Sequence, residues 1–191
     1  MEALDFTGVS CGPVCVSGKG AKSVGLAVTV GGAPVTFTAD PVQVCFEPSA
    51  YGDDGGTATR VNVVFRPQDT TALELEGIDR WILKCAAANS VAWFGKQKTA
   101  DQLEESYTPL VKRSEKYGPQ FKAKMNLAPP AQTKIWGGSE LREAPEIWKG
   151  CTVKPKFHLR GLYFMGSAQF GPILECTDVQ ILEEPSHVCP F

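Results

Sequence analysis

The chain has 191 residues, of which 43% are hydrophobic and 21% charged, with a formal net charge of -2. This length suits one domain with elaborations, and the hydrophobic share is enough for a core. The near-neutral balance excludes a histone-like polycation, so any surface for a polyanion has to be local, with acids kept elsewhere.

Residues 1–22, low in charge and rich in Gly, Ser and Cys, read as an irregular lead-in. Residues 23–30 and 35–46 alternate or are β-branched and read as strands, as does Val61 to Phe65, closed by Pro67. The Gly- and Asp-rich run from Ser49 to Thr59 reads as a loop. From Thr70 to Asn89, Leu75, Ile78, Ile82, Cys85 and Asn89 recur at helical spacing, with acids early and Arg80 and Lys84 later. A second helix is expected from Ala100 to Tyr107, with Thr99 and Gln102 spaced as a capping box. Strands follow at residues 121–127, 133–136, 151–165 and 170–182.

The expected fold is mainly β: an oligonucleotide-binding (OB)-like antiparallel barrel over residues 23–182, with a helical insert near 70–107 and a tail at 183–191. A jelly roll or other β-sandwich is the alternative architecture.

The segment Lys154 to Arg160 reads K-P-K-F-H-L-R. On a strand, side chains alternate between faces. Lys154, Lys156, His158 and Arg160 therefore share one side, and Val153, Pro155, Phe157, Leu159 and Tyr163 share the core side. No acid occurs between Glu146 and Glu175, so this row looks free of neutralising carboxylates. Phe121 to Leu127 repeats the pattern, with Lys122, Lys124 and Asn126 on one face and Phe121, Ala123, Met125 and Leu127 on the other. Such rows suit nucleic acid. The competing reading is a solvated face whose lysines keep edge strands from mispairing.

Trp93 and Phe94 are followed by Gly95, Lys96 and Lys98. Aromatic rings give bases a surface to stack on, and adjacent lysines hold phosphates. Trp93, Tyr107 and Trp148 are the stacking candidates, with Lys96 and Lys98 beside the first; the plain alternative is that these rings are core. The ending E-E-P-S-H-V-C-P-F carries Glu183, Glu184 and Phe191; it resembles the tails by which single-stranded-DNA-binding proteins recruit partners, and the plain alternative is an unstructured end.

Catalysis is not expected. The chain has only two histidines, and no phosphate loop, nucleophile elbow, paired carboxylates or metal-type Cys/His spacing appears. No metal and no cofactor are expected. The seven cysteines, an odd number in a chain without a signal-peptide pattern, read as reduced intracellular thiols. No run reaches membrane-span length.

The runs W-F-G-K (Trp93 to Lys96), Thr99 to Tyr107, K-Y-G-P-Q-F-K-A-K (Lys116 to Lys124) and G-L-Y-F-M-G-S-A-Q-F-G (Gly161 to Gly171) resemble the single-stranded-DNA-binding proteins of large DNA viruses of algae and protists. More loosely, they resemble phage replication proteins of that role. The resemblance spans roughly residues 35–182. It implies an OB-type fold binding single-stranded DNA in a basic, aromatic groove, in support of replication, recombination or repair. The expected partners are single-stranded DNA or RNA, replication proteins through the tail, and a second copy through exposed strand edges. A virion interaction protein of jelly-roll type and an RNA-binding β module are the rival readings.

Overall fold

The computed structural model describes residues 6, 8–18, 20–28, 31–50, 58–165 and 169–185. The strands are β1 (Val9–Val16), β2 (Lys22–Val28), β3 (Thr36–Thr38), β4 (Val42–Val44), β5 (Arg60–Arg66), β6 (Val111–Ser114), β7 (Gly118–Asn126), β8 (Lys134–Gly137), β9 (Glu140–Leu141), β10 (Thr152–Met165) and β11 (Gln169–Glu183). The helices α1 (Asp69–Ala88), α2 (Ser90–Phe94) and α3 (Ala100–Glu104) all fall between β5 and β6.

Five strands close a barrel: β10 pairs with β4, β4 with β5, β5 with β7, β7 with β11, and β11 again with β10. Four of these pairings are antiparallel. The β7–β11 pairing is parallel, with Glu175 opposite Lys124 and Cys176 opposite Met125. The expected OB-like barrel with inserted helices is what the chain forms.

Alternation explains the barrel wall. Val63, Phe65, Phe121, Ala123, Met125, Val153, Phe157 and Leu159 are buried, while Arg60, Arg66, Lys122, Lys124, Lys154, Lys156 and Arg160 point out. Inside, Phe157 packs against Phe37, Phe65 and Phe121 with ring centroids 5.4, 5.8 and 5.6 Å away.

β10 and β11 outrun the barrel, and the far half of β10 extends the same sheet to β2 and β1. β2 pairs with β10 from Gly161 to Phe164, and β1 pairs with β2. Gly161 is required at that junction: a Cβ there would lie 2.1 Å from the carbonyl oxygen of Val24. The helical insert packs on this extension through Trp93, Phe94, Tyr107, Phe164 and Phe170. Gly95, at φ 75°, ends α2 in the left-handed conformation. Thr99 and Gln102 form the expected capping box at the start of α3.

Four sequence expectations change. The lead-in is not irregular throughout, because Val9–Val16 form β1; the register shift between Cys11 and Val14, at Gly12 and Pro13, breaks the alternation that would have announced it. Tyr163 is half-buried rather than in the core row, because a register shift between Leu159 and Gly161 reverses the phase and turns Leu162 and Phe164 inward. β7 ends at Asn126, which leaves Leu127 exposed. Glu183 belongs to β11 rather than to a tail. Phe191, His187, Cys189 and the Gly52–Gly56 loop lie outside the described residues.

Candidate nucleic-acid interface

The two basic rows are brought into one surface with a single strand between them. β7 carries Lys122 and Lys124, β10 carries Lys154, Lys156, His158 and Arg160, and β11 lies between, paired with both. β5 extends the surface on the other side of β7, placing Asn62 opposite Lys124 and Arg60 opposite Asn126. Arg60 is a site residue that the sequence reading missed, although R-V-N-V-V-F-R alternates with arginine at both ends. The outer wall of the barrel thus gathers cations from β5, β7 and β10 around β11, which contributes none.

This wall is not free of carboxylates, as the acid-free run in the sequence suggests. Register sets Glu175 opposite His158 and Asp178 opposite Lys156. An acid-free stretch along one strand says nothing about the strand that pairs with it. Both acids are engaged. Glu175 Oε1 accepts from Arg160 Nη1 at 2.9 Å and meets Arg60 Nη2 at 3.4 Å. Its side chain is 8% exposed, against 53% and 48% for the two arginines. The buried carboxylate therefore anchors two guanidinium groups from opposite sides, and each keeps donors facing solvent. Arg60 Nε also donates to Asn126 Oδ1 at 2.7 Å. Trp136 Nε1 donates to Asp178 Oδ1 at 3.0 Å.

The crowding of positive charge shows in the titration of its members. Lys124 is held below its ordinary range by partial burial, then by Arg60, against the opposing pull of Glu175. His158 is likewise lowered, by burial first, with Glu175 raising it and Arg160 lowering it. At neutral pH His158 is a neutral imidazole inside a cationic row.

The three aromatic candidates are placed elsewhere. Trp93 is 3% exposed and packs edge-on against Phe164, so its faces are covered by protein. Trp148 is 7% exposed, while its backbone N–H donates to Glu47. Tyr107 is packed against Phe170, with its hydroxyl donating to Asp79 Oδ1 at 2.6 Å. Burial pushes Asp79 up to about 6 and Tyr107 far above its ordinary range; Asp79 also accepts from the Leu110 N–H. Trp93 and Tyr107 belong to the packing between the insert and the strands, and Trp148 is buried in the core beside the loop that follows β4. Helix and strand spacing signals an aromatic ring but not which of its faces a neighbour covers. Lys96 is exposed, and Lys98 sits over the Phe94 ring at 5.3 Å, so both belong to the insert rather than to the barrel wall.

Glu183 and Glu184 are held by the body of the protein. Thr152 Oγ1 donates to Glu183 Oε2 at 3.3 Å, and Glu184 pairs with Arg142 at 2.6 Å. Among the described residues no helix is long and apolar enough to cross a membrane.

The closed barrel with its parallel β7–β11 pair and outward cationic wall places the chain in the OB class of β-barrels. The family described as "Family of unknown function (DUF5871)" matches residues 57–190, and the chain belongs to it. No curated protein matches the sequence. Solved structures do match. The single-stranded DNA-binding protein gp2.5 encoded by bacteriophage T7 has a TM-score of 0.52 at 15% identity, over 81% of this chain and 95% of that one. The single-stranded DNA-binding protein from bacteriophage Enc34 in complex with ssDNA has a TM-score of 0.51 at 16% identity, over 85% and 92%. The Enc34 protein alone has a TM-score of 0.51 at 14% identity, over 93% and 92%. At such identities the likeness is one of fold.

Proposed function

We propose that the protein is a non-catalytic single-stranded-DNA-binding protein, largely indifferent to sequence, serving replication, recombination or repair in a virus or its infected host cell. The observation that carries this reading is the joining of the β5, β7 and β10 cations into one wall. OB folds bind oligonucleotides on the outer face of their second and third barrel strands, which here are β5 and β7. The like-folded phage proteins, named for single-stranded DNA binding, support the same assignment. Lys122, Lys124, Lys154, Lys156, Arg60 and Arg160 would meet phosphates. Contacts of that kind position a strand without reading its bases, so sequence preference should be weak.

The direct test is fluorescence anisotropy of a labelled oligo-dT of about thirty nucleotides, longer than the ~4–16 nucleotides that one OB fold occupies. Matched duplex DNA and RNA serve as competitors. Salt-sensitive binding that prefers the single DNA strand is expected, with log K falling by ~0.7 per phosphate neutralised for each decade of salt. Absence of binding at low salt would remove nucleic acid from the account. Preference for RNA would reassign the wall to the rival polymer.

His158 adds a pH signature. A polyanion favours the imidazolium over the imidazole, so binding should take up a proton at His158. Affinity for oligo-dT is then expected to rise as pH falls below the unperturbed histidine value of ~6.5, because burial holds the free His158 lower still. H158Q should flatten that rise while leaving affinity at pH 7.5 unchanged. An identical pH profile in the variant would place His158 away from the phosphates.

A further inference from the structure

With Trp93, Tyr107 and Trp148 covered, the proposed strand-binding wall has no stacking surface among the residues singled out from the sequence. The exposed aromatic side chains lie elsewhere. Among the described residues, Phe46 at 43% and Tyr117 at 45% are the aromatic rings with the greatest exposure. They come from different loops, yet they meet edge-to-face with centroids 6.4 Å apart. Two exposed rings brought together by separate segments offer one composite apolar surface at the protein boundary.

Both loops are tied down beside these rings. Phe46 lies two residues past the end of β4. Before it, the Cys45 N–H donates to the Val64 carbonyl; after it, Ser49 exchanges two backbone hydrogen bonds with Asn62. The segment is thus laid along the edge of β5. Tyr117 closes the β6–β7 turn, where Ser114 lies opposite Gly118. Rings on fixed segments bind at a smaller ordering cost than rings on free ones.

The surroundings favour an anionic polymer. Lys116 Nζ lies over the Tyr117 ring at 5.1 Å. Arg66, on the outer face of β5, is exposed and donates to Gln43. Lys149 is exposed next to Glu47, whose carboxylate is turned to the backbone N–H groups of Trp148 and Lys149. Glu115 shares the Tyr117 turn, so the patch is cationic on balance rather than purely so. It also continues the wall, since Arg66, Asn62 and Arg60 run along β5 and pair across to β4 and β7.

We infer that Phe46 and Tyr117 form a base-stacking site at the Arg66 end of the cationic wall, taking an unpaired base of the strand whose phosphates follow β5 and β7. This inference rests on the proposed single-strand binding and adds the element that the lysines lack. Phosphate contacts hold any polyanion; a stacked base discriminates a single strand from a duplex, whose bases are covered by their neighbours.

The experiment compares wild type with F46A/Y117A against two probes of equal length and charge: oligo-dT, and the same sugar–phosphate chain with every base removed. The stacking site predicts a loss of about 5- to 150-fold for oligo-dT, the range for one stacked base. It also predicts unchanged affinity for the abasic chain and an unchanged salt slope. F46Y/Y117F, which keeps both ring faces, should retain wild-type affinity. Equal binding of oligo-dT by wild type and F46A/Y117A would overturn the stacking site and leave the cationic wall in place. Equal loss on both probes would overturn it as well, because the rings would then act through fold or charge. If wild type binds neither probe, single-strand binding itself fails and the site falls with it. A wild-type dimer converted to monomer by F46A/Y117A, with DNA affinity unchanged, would reassign the rings to a contact between copies of this chain.

Discussion

Replacing Lys122, Lys124, Lys154 and Lys156 together with alanine is expected to cost about two to three orders of magnitude in affinity for oligo-dT at ~0.1 M salt. The size follows from counterion release. Each single-strand phosphate contact contributes ~0.7 to the salt slope, worth about 5-fold at ~0.1 M, and four contacts multiply to roughly 600-fold. The slope itself should fall by about 3. These four lysines are chosen because all are exposed on alternating strand positions whose inward neighbours make the core. Among the described residues none of the four makes an ion pair, although Lys124 lies opposite Glu175 and feels its charge. Arg60 and Arg160 are poorer targets, since they neutralise the buried Glu175 and their loss would strand a carboxylate inside the wall. Arg80 and Lys84, exposed on the helical insert, supply the control: changing both to alanine should leave affinity and slope as they were. A quadruple variant that folds, melts normally and binds like wild type would rule out the wall as the DNA surface.

Phe157→Ala is expected to lower stability by about 3–5 kcal/mol, a large part of the roughly 5–15 kcal/mol that a domain has. For a chain of this size that corresponds to a fall in Tm of about 6–20 °C. Phe157 is 0% exposed and touches three other phenylalanine rings contributed by β3, β5 and β7. Its removal leaves a cavity at the one point where four strands converge, and a closed barrel cannot collapse inward to fill it without breaking register. Leu141→Ala, at a side chain 64% exposed, should stay within about 0.5 kcal/mol of wild type. Thermal melts of the two variants decide the matter, and a Phe157→Ala melt close to that of Leu141→Ala would show that the four-ring cluster is not the centre of the core.

The β-barrel class and much of the cationic wall were legible because they depend on period alone. K-P-K-F-H-L-R and F-K-A-K-M-N-L alternate strictly, and a strand that buries one face leaves the other nowhere to go but outward. Helical spacing in α1 and the Thr99–Gln102 capping box were legible for the same local reason. What period cannot convey is which strand lies beside which. The placement of β11 between β7 and β10, and with it the arrival of Glu175 and Asp178 among the cations, follows from barrel closure and register. Arg60 joins the wall through its pairing with Asn126 of β7 and its contact with Glu175 of β11.

The aromatics show the sharper boundary. Whether a ring is a core filler or a stacking surface depends on what covers its faces, and that is settled by segments distant in the chain. Phe164 and Phe170, brought in by the long β10–β11 hairpin, enclose the rings of the insert. Phe46 and Tyr117, 71 residues apart in numbering, stay open because β4 and the β6–β7 turn end at the same rim. The sequence alone determined the polarity of the barrel strands and the cationic rows they carry, because side-chain alternation is a local property of extended backbone. Only the tertiary structure decided which charges face each other and which rings remain in water, because both are set by long-range pairing that local pattern does not encode.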